Sequence, residues 1–215
     1  MKPAIILSIQ VGTPQRYEGQ AGEKPWTTAF FKTPLSGKVR LTRMGLDGDQ
    51  PADRKHHGGA DKAVLAYAAS HYPIWRQELG RQDMTYGGFA ENFTIQGLDE
   101  ETVCIGDTYK IDDVLVQVSQ PRQPCWKISR RWGIEGLTNL VRETLRMGWY
   151  LRVLGEGNVQ AGMAMVLLER PCPQWTVARA FRVYNSSRDD PVTAAELGKC
   201  EMLSKGWLEK LRGNK

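Results

Sequence analysis

The sequence contains no long hydrophobic run and no leader-like start. Its longest apolar stretch, residues 161–168, is far shorter than the about 20 residues that a membrane-spanning helix needs. Residues 1–7 lack the hydrophobic core and the small-residue cleavage site of a secretory signal. We therefore expect a cytoplasmic protein with no membrane partner.

Cysteine is scarce. The chain has four cysteines: Cys104, Cys125, Cys172 and Cys200. No two of them form a C-x-x-C pair, which argues against a zinc ribbon and a thioredoxin-type dithiol. Free thiols are expected in a reducing cytosol. The chain also lacks repeats, low-complexity tracts and flavin, haem or iron–sulfur motifs. At 215 residues it suits one large domain, or one domain with a small appendage.

Positive charge is concentrated in one segment. The net charge is +5, and residues 120–152 alone hold seven basic and two acidic residues. A local excess favours a local anionic partner, such as a phosphate-bearing small molecule. Nucleic acid is not expected, because no binding motif or basic–aromatic repeat is present. A solvated helix face explains some of this charge, at Arg142 and Arg146.

Hydrophobic patterning in the first three-quarters of the chain indicates strands. The candidates are residues 5–11, 38–44, 63–68, three short strands within 102–119, 149–154 and 162–169. Turn residues at 106–107, 112–113 and 155–158 predict hairpins between them. Strands joined by hairpins predict a mainly β (α+β) fold, an antiparallel barrel with a few inserted helices.

Helical patterns interrupt the strands twice and dominate the end. Ser70 is a candidate N-cap for a helix to about Leu79 with Gly80 after it, and residues 134–147 show helical spacing up to Gly148. Three further helices are expected at 176–184, 191–203 and 205–211. We predict a barrel domain over 1–170 and a helical extension over 171–215, which packs on the barrel or on a second chain in a homodimer.

Cys125 is the cysteine whose surroundings indicate chemistry. It follows a strand candidate in a loop stiffened by Pro121 and Pro124. The cations Arg122 and Lys127 favour its thiolate form, which a nucleophile or a soft metal ligand requires. The alternative is a cysteine that fills a gap beneath the loop. A structural role is expected for the other three cysteines.

Two glycine-rich segments offer polar groups to a ligand. Gly58-Gly59 allows close backbone approach, and neighbouring His57 and Lys62 would add positive charge, which favours an anion pocket. The alternative is a tight turn into the strand at 63. Asn92, after the second glycine pair at 87–88, carries both a donor and an acceptor.

These segments together resemble the MOSC family, named from the C-terminal part of molybdenum cofactor sulfurases, and within it the stand-alone bacterial YiiM-like branch. The matching text is GLDGD at 45–49, HGGADKA at 57–63, GFAEN at 88–92, IGD at 105–107 and SQPRQPC at 119–125. The ordered set is specific, although each piece alone is weak.

The resemblance implies a β-barrel that binds a molybdopterin-type molybdenum cofactor. Cys125 stands at the family cysteine and would be both the metal ligand and the catalytic residue, since a soft thiolate suits a sulfur-bound metal. The remaining matched positions are assigned to the pterin and its phosphate: His57, Gly58, Gly59, Lys62, Asn92 and Arg122.

The resemblance also implies an activity, the reduction of N-hydroxylated compounds such as hydroxylamines and hydroxylated nucleobases. An external protein would supply the electrons, since the chain shows no redox motif of its own. The alternative is a carrier that holds a persulfide on Cys125 for metal–sulfur cluster assembly, or that stores the cofactor. Whether Asp49 and Glu91 act on a substrate or brace the loops is left open.

Overall fold

The computed structural model describes residues 4–18, 24–53 and 57–213. The strands are β1 (Ala4–Val11), β2 (Gln15–Tyr17), β3 (Trp26–Thr28), β4 (Thr33–Pro34), β5 (Val39–Thr42), β6 (Gly45–Leu46), β7 (Val64–Ala68), β8 (Phe93–Gln96), β9 (Thr108–Ile111), β10 (Val114–Pro121), β11 (Trp149–Gly155), β12 (Gly157–Val159) and β13 (Ala164–Glu169). The helices are α1 (His71–Leu79), α2 (Lys127–Trp132), α3 (Leu137–Glu143), α4 (Val177–Asn185), α5 (Pro191–Leu197) and α6 (Lys205–Leu211), with a short 3-10 helix at Ala60–Lys62.

The main sheet closes into a barrel. Its strands follow the order β13-β9-β10-β11-β7-β8-β1, and β1 pairs back to β13 through Ala4 and Met165. Strand β4 extends the sheet from β1, while β12, β5 and β6 form a small second sheet. Closure leaves the strands of the ring without free edges. Most apolar side chains of the ring pack into one core, whereas four on β11 and β13 are exposed: Leu154, Val166, Leu167 and Leu168.

The barrel is mixed, so the expectation of a purely antiparallel barrel is wrong in one detail. Strands β7 and β8 run parallel, with Ala66 opposite Phe93. Parallel neighbours need a crossover connection, and here α1 and the loop that follows it provide one. The sequence pattern after Ser70 predicts the helix but does not specify the direction of the strand that follows it.

Two predicted strand pairings also differ. The first of the three strands expected within 102–119 is not a strand, because Cys104 makes only an isolated bridge to Thr176. Strands β11 and β13 do not pair with each other as the predicted hairpin requires. The intervening β12 pairs with β5 instead, so the chain leaves β11 before β13 joins β9 and β1.

The predicted helices are present, two of them shorter than expected. Helix α1 ends at Leu79, and the next residue, Gly80, takes a positive φ of 63° that suits glycine. Helix α3 ends at Glu143 rather than near 147, because Leu145 takes a φ of 60°. Helix α5 ends at Leu197 rather than 203, so Cys200 lies in the turn that follows. No helix in the described ranges is long and apolar enough to span a membrane.

The C-terminal helices pack against the barrel. The Ile105 amide donates to the Trp175 carbonyl at 2.8 Å, and the Val177 amide donates to the Val103 carbonyl at 2.8 Å. Phe181 and Trp207 are buried in the common core. The extension is therefore joined to the barrel by hydrogen bonds as well as by apolar contact. The division at 170/171 stays a prediction.

Candidate functional site

One cavity of about 540 Å³ brings the predicted site residues together. Its lining includes all seven of them: His57, Gly58, Gly59, Lys62, Asn92, Arg122 and Cys125. These residues come from three segments that precede β7, precede β8 and follow β10. The strands explain the meeting, because β7 pairs with both β8 and β11, and β11 pairs with β10. Leu65 and Tyr150, which are partners across β7 and β11, also line the cavity.

Arg122 is a buried cation that has no carboxylate partner among the described residues. Its side chain is only 4% exposed and donates one hydrogen bond, from Nη1 to the Phe89 carbonyl at 2.7 Å. A buried guanidinium normally pairs with an anion, because desolvating an unpaired charge is costly. The other donors of Arg122 have no acceptor in the described part of the chain, and a guanidinium with free donors is suited to pairing with an anion.

Cations outnumber carboxylates along the cavity wall. The lining contains four cations and two carboxylates: Lys32, Lys62, Arg122 and Lys127, against Asp49 and Asp53. Lys32 pairs with Asp49. The excess of positive charge therefore lies at the part of the wall formed by Arg122 and Lys127. Burial lowers the pKa of both Lys32 and Lys62, although the neighbouring carboxylates oppose this shift. A ligand with negative charge would relieve the mutual repulsion of these groups.

His57 does not add the positive charge that was expected of it. Burial, reinforced by the charges of Arg122, Lys127 and Lys62, lowers the pKa of His57 from 6.5 to about 4. The imidazole is therefore neutral at pH 7 and offers one donor and one acceptor. Its backbone amide donates to the Asp53 carbonyl at 2.9 Å. His56, directly before it, lies outside the described residues.

Gly59 allows the turn beside His57. It takes a φ of 99° and precedes the 3-10 helix at Ala60–Lys62. A side chain there would meet no atom within 4 Å, so the positive φ, rather than lack of space, makes glycine suitable. Its carbonyl accepts from the Lys62 amide at 2.9 Å, which helps to fix the lysine at the wall.

Asn92 lines the cavity, but the protein already uses its amide. Its Oδ1 accepts from the Leu65 amide at 3.0 Å. Its Nδ2 donates to the Gln10 carbonyl at 3.2 Å and to Asp49 Oδ2 at 2.9 Å. Both amide hydrogens have acceptors, and Asn92 thereby links the start of β8 to β7, to β1 and to the loop at Asp49. Only the second lone pair of Oδ1 is left for a ligand.

Asp49 and Glu91, whose roles the sequence left open, act as braces. Asp49 Oδ1 accepts from the Gly12 amide at 2.8 Å and from Lys32. Glu91 is fully buried and is not part of the cavity lining. It accepts hydrogen bonds from the Tyr72 hydroxyl at 2.5 Å, the Gly87 amide at 2.7 Å, the Thr94 hydroxyl at 2.9 Å and the Phe89 amide at 3.1 Å. The hydrogen bonds of each carboxylate thus stabilise the surrounding loops.

The loop that carries Cys125 is held by its backbone carbonyls. The Cys125 carbonyl accepts from the Ile128 amide and from the Thr138 hydroxyl, each at 3.1 Å. Arg142 Nη2 donates to the Pro124 carbonyl at 2.7 Å. Two prolines and three such bonds fix the backbone, while the half-buried Cys125 side chain lines the cavity. Arg142 therefore has a structural contact as well as an exposed face.

The basic segment is not a uniform anion-binding surface. Of its seven cations, Arg122 and Lys127 line the cavity. Arg130 and Arg131 lie over aromatic rings, and the others contact Pro124, Glu78 and Asp61. The clustering in the sequence therefore overstated the charge available to one partner.

Lys32 and Tyr150 line the cavity and were not singled out as site residues in the sequence. Lys32 belongs to no recognised motif, so no local signal marked it. Tyr150 is the second residue of β11, a strand whose sequence pattern indicated only burial, and it is 7% exposed. Its hydroxyl makes no hydrogen bond to any residue that the structure describes. Lys127 had a signal, its position two residues after Cys125.

A closed barrel with a cation-lined cavity that contains a cysteine is the arrangement expected from the MOSC resemblance, and comparison with known sequences supports the same family. Residues 53–166 match the MOSC domain, a segment that contains the cavity residues from His57 to Tyr150. The chain belongs to the MOSC family. This family is associated with binding of the molybdenum cofactor.

Within the family the chain is similar to YiiM-like proteins. It is 41% identical over 206 residues to YflK of Bacillus subtilis (strain 168), covering 94% of this chain and 90% of YflK. It is 36% identical over 187 residues to YiiM of Escherichia coli (strain K12), covering 86% of this chain and 83% of YiiM. The crystal structure of YiiM from Geobacillus stearothermophilus superposes with a TM-score of 0.81 at 34% identity, covering 98% of each chain.

One relative, which is much longer than this chain, has a name that describes an activity. The chain is 37% identical over 205 residues to a protein named Reductase from Gibberella moniliformis (strain M3125 / FGSC 7600). The match covers 94% of this chain but only 35% of that protein. The similarity therefore concerns one part of the relative.

Proposed function

We propose that this protein binds a molybdopterin-type molybdenum cofactor and reduces N-hydroxylated compounds, with Cys125 as the protein ligand of the metal. The observation that carries the proposal is the pairing, in one cavity, of a half-buried thiol with a buried guanidinium that has no carboxylate partner among the described residues. The thiolate suits a metal held by sulfur ligands. The guanidinium suits a phosphate.

The residues present fit such a cofactor. No group of three or more His, Cys, Asp or Glu side chains in the described ranges could hold a metal ion by itself. A metal bound near Cys125 would therefore need most of its ligands from the cofactor, as a dithiolene supplies them. The cavity volume of about 540 Å³ lies within the about 300–1,000 Å³ typical of small-molecule sites.

Each side chain would then have a defined task. Arg122 and Lys127 would contact the phosphate, since neither forms an ion pair with a described residue. Lys62 and the Gly58-Gly59 backbone would line the pterin side, while neutral His57 would offer a donor or an acceptor. Asn92 and Asp49 would keep these segments in register. The bound group would supply two-electron oxygen-transfer chemistry at its metal.

The proposed substrate class is a small N-hydroxylated compound, which gains two electrons and two protons and yields the reduced nitrogen compound and water. An external electron-donor protein would deliver the electrons. The reductase name of the fungal relative supports a reductive reaction.

The test is a comparison of Cys125→Ser with Cys104→Ser in protein from a molybdenum-replete host. Molybdenum and pterin content are measured first, and turnover of a hydroxylamine with a reduced dye is then expressed per bound molybdenum. We expect turnover to fall at least a hundredfold in Cys125→Ser, because a hydroxyl is a harder and much less acidic ligand. The matched control Cys104→Ser should keep its activity.

Each failure has a separate meaning. Full turnover per molybdenum in Cys125→Ser would refute the ligand assignment. Molybdenum binding without turnover of any N-hydroxylated compound would refute the substrate class. A persulfide on Cys125 in protein free of molybdenum would favour the sulfur carrier instead.

A further inference from the structure

Two cysteines outside the cavity lie in contact with each other. Cys172 follows β13, and Cys200 lies in the turn after α5. Their Sγ atoms are 2.9 Å apart, although both are free thiols. A disulfide bond is about 2.05 Å long, so less than about 1 Å of closure separates this pair from a covalent bond. The remaining nearby thiol, Cys104, instead contacts the Pro173 carbonyl at 3.5 Å.

A small molecule can reach the pair. Both cysteines line a surface cavity of about 440 Å³, which is separate from the cavity at Cys125. Cys172 is partly exposed, whereas Cys200 is buried. The cavity is also lined by Arg179, Lys199 and Glu196. Lys199 pairs with Glu196 at 2.6 Å, so Arg179 is the lining residue whose charge favours an anionic reagent.

We propose that Cys172 and Cys200 form a reversible thiol–disulfide site that is oxidised by a low-molecular-weight disulfide such as oxidised glutathione. The Cys172 sulfur attacks the glutathione disulfide, which breaks its S–S bond and releases one glutathione thiol. The Cys200 sulfur then displaces the second glutathione from the mixed disulfide. Two protein thiols become one disulfide, and their two protons leave on the two glutathione thiols.

The pair reacts slowly at neutral pH, since the attacking species is the thiolate. Burial, together with Cys200, raises the pKa of Cys172 to about 12. The nearby Cys104 and Asp107 act in the same direction. Oxidation therefore accelerates by up to about tenfold for each pH unit.

The bond would tie the C-terminal helices together at a point that touches the barrel. It closes a loop that contains α4 and α5. Just beyond Cys200, the Ser204 amide donates to the Ser119 carbonyl at 2.9 Å, and the Lys205 amide donates to Asp61 Oδ2 at 3.2 Å. Asp61 adjoins Lys62 of the candidate site. Oxidation would thus restrain the segment that supports this side of the barrel.

The experiment equilibrates the full-length reduced protein with reduced and oxidised glutathione at several ratios. Intact mass and non-reducing peptide mapping then follow the loss of two hydrogens. We expect a Cys172–Cys200 bond, a higher melting temperature in the oxidised protein, and faster oxidation at pH 9 than at pH 7. Cys104→Ser should form the bond as the unchanged protein does, and Cys172→Ser should not.

Three results would overturn the proposal. These are a bond that joins Cys104 or Cys125 to one of the pair, a glutathione adduct that persists without ring closure, and no oxidation after equilibration at pH 9 in buffer that oxidises a thioredoxin-type dithiol. Molybdenum content and turnover play no part in these readouts. The outcome is therefore independent of the proposed function.

Discussion

The neutrality of His57 leads to a quantitative prediction about anion binding. The pKa of His57 is lowered to about 4, against 6.5 for an unperturbed imidazole, and this difference corresponds to at most about 3.4 kcal/mol. The unfolded chain takes up this proton below pH 6.5, but the folded chain does so only near pH 4. His57 therefore lowers stability progressively as pH falls from 6.5 to 4.

An anion in the cavity should reverse this shift. A unit charge about 4 Å from the imidazolium contributes about 4 kcal/mol at the effective dielectric constant of a protein surface, which is as large as the whole penalty. The pKa of His57 should consequently rise when sulfate binds. By linkage, sulfate binding should take up a proton and tighten by up to about tenfold per pH unit on acidification.

The assay is an NMR titration of the imidazole signals with and without sulfate, an anion that keeps its charge over this range. The His57→Gln variant assigns the signal, and calorimetry in two buffers counts the protons taken up. Titration of His57 near 6.5 in the free protein, or no response to sulfate, would refute the reasoning. Because Arg122 is the largest charge contribution to the shift, Arg122→Gln should move the pKa of His57 upward.

Three further changes test the contacts described. Arg122→Gln should weaken sulfate binding at least tenfold, whereas Arg146→Ala should not, since Arg146 pairs with Glu78 at 2.7 Å; equal losses would mean diffuse charge. Glu91→Gln should lower the free energy of unfolding by about 3 kcal/mol, because an amide NH₂ replaces an acceptor that faces buried donors. Chemical denaturation measures this change, and an unchanged midpoint would contradict the stabilising role of Glu91. Removal of residues 171–215 should lower the melting temperature and solubility, because it exposes the core beneath Phe181 and Trp207; a stable monomer would show that the extension is dispensable.

Several features could be predicted from the sequence because they depend on neighbouring residues. Gly80 directly follows α1 and takes a positive φ, as the helix pattern followed by a glycine predicted, although the side chain of Ser70 makes no capping hydrogen bond. The two prolines that frame Arg122 predict a stiff loop whatever lies around it. The ordered motifs also predicted the family and the residues that meet in one cavity, since such spacing reflects a shared fold.

Other features depend on which distant segments meet, and only the tertiary structure decided them. The parallel pairing of β7 with β8 follows from how α1 crosses the barrel, and no local pattern encodes strand direction. His57 is neutral because burial acts together with the charges of Lys62 in its own segment and of Arg122 and Lys127 from the distant segment after β10. Asn92, read as a ligand contact, has its hydrogens taken by Gln10 and Asp49. A side chain's charge and free donors are set by its neighbours in space, and these are known only once the chain has folded.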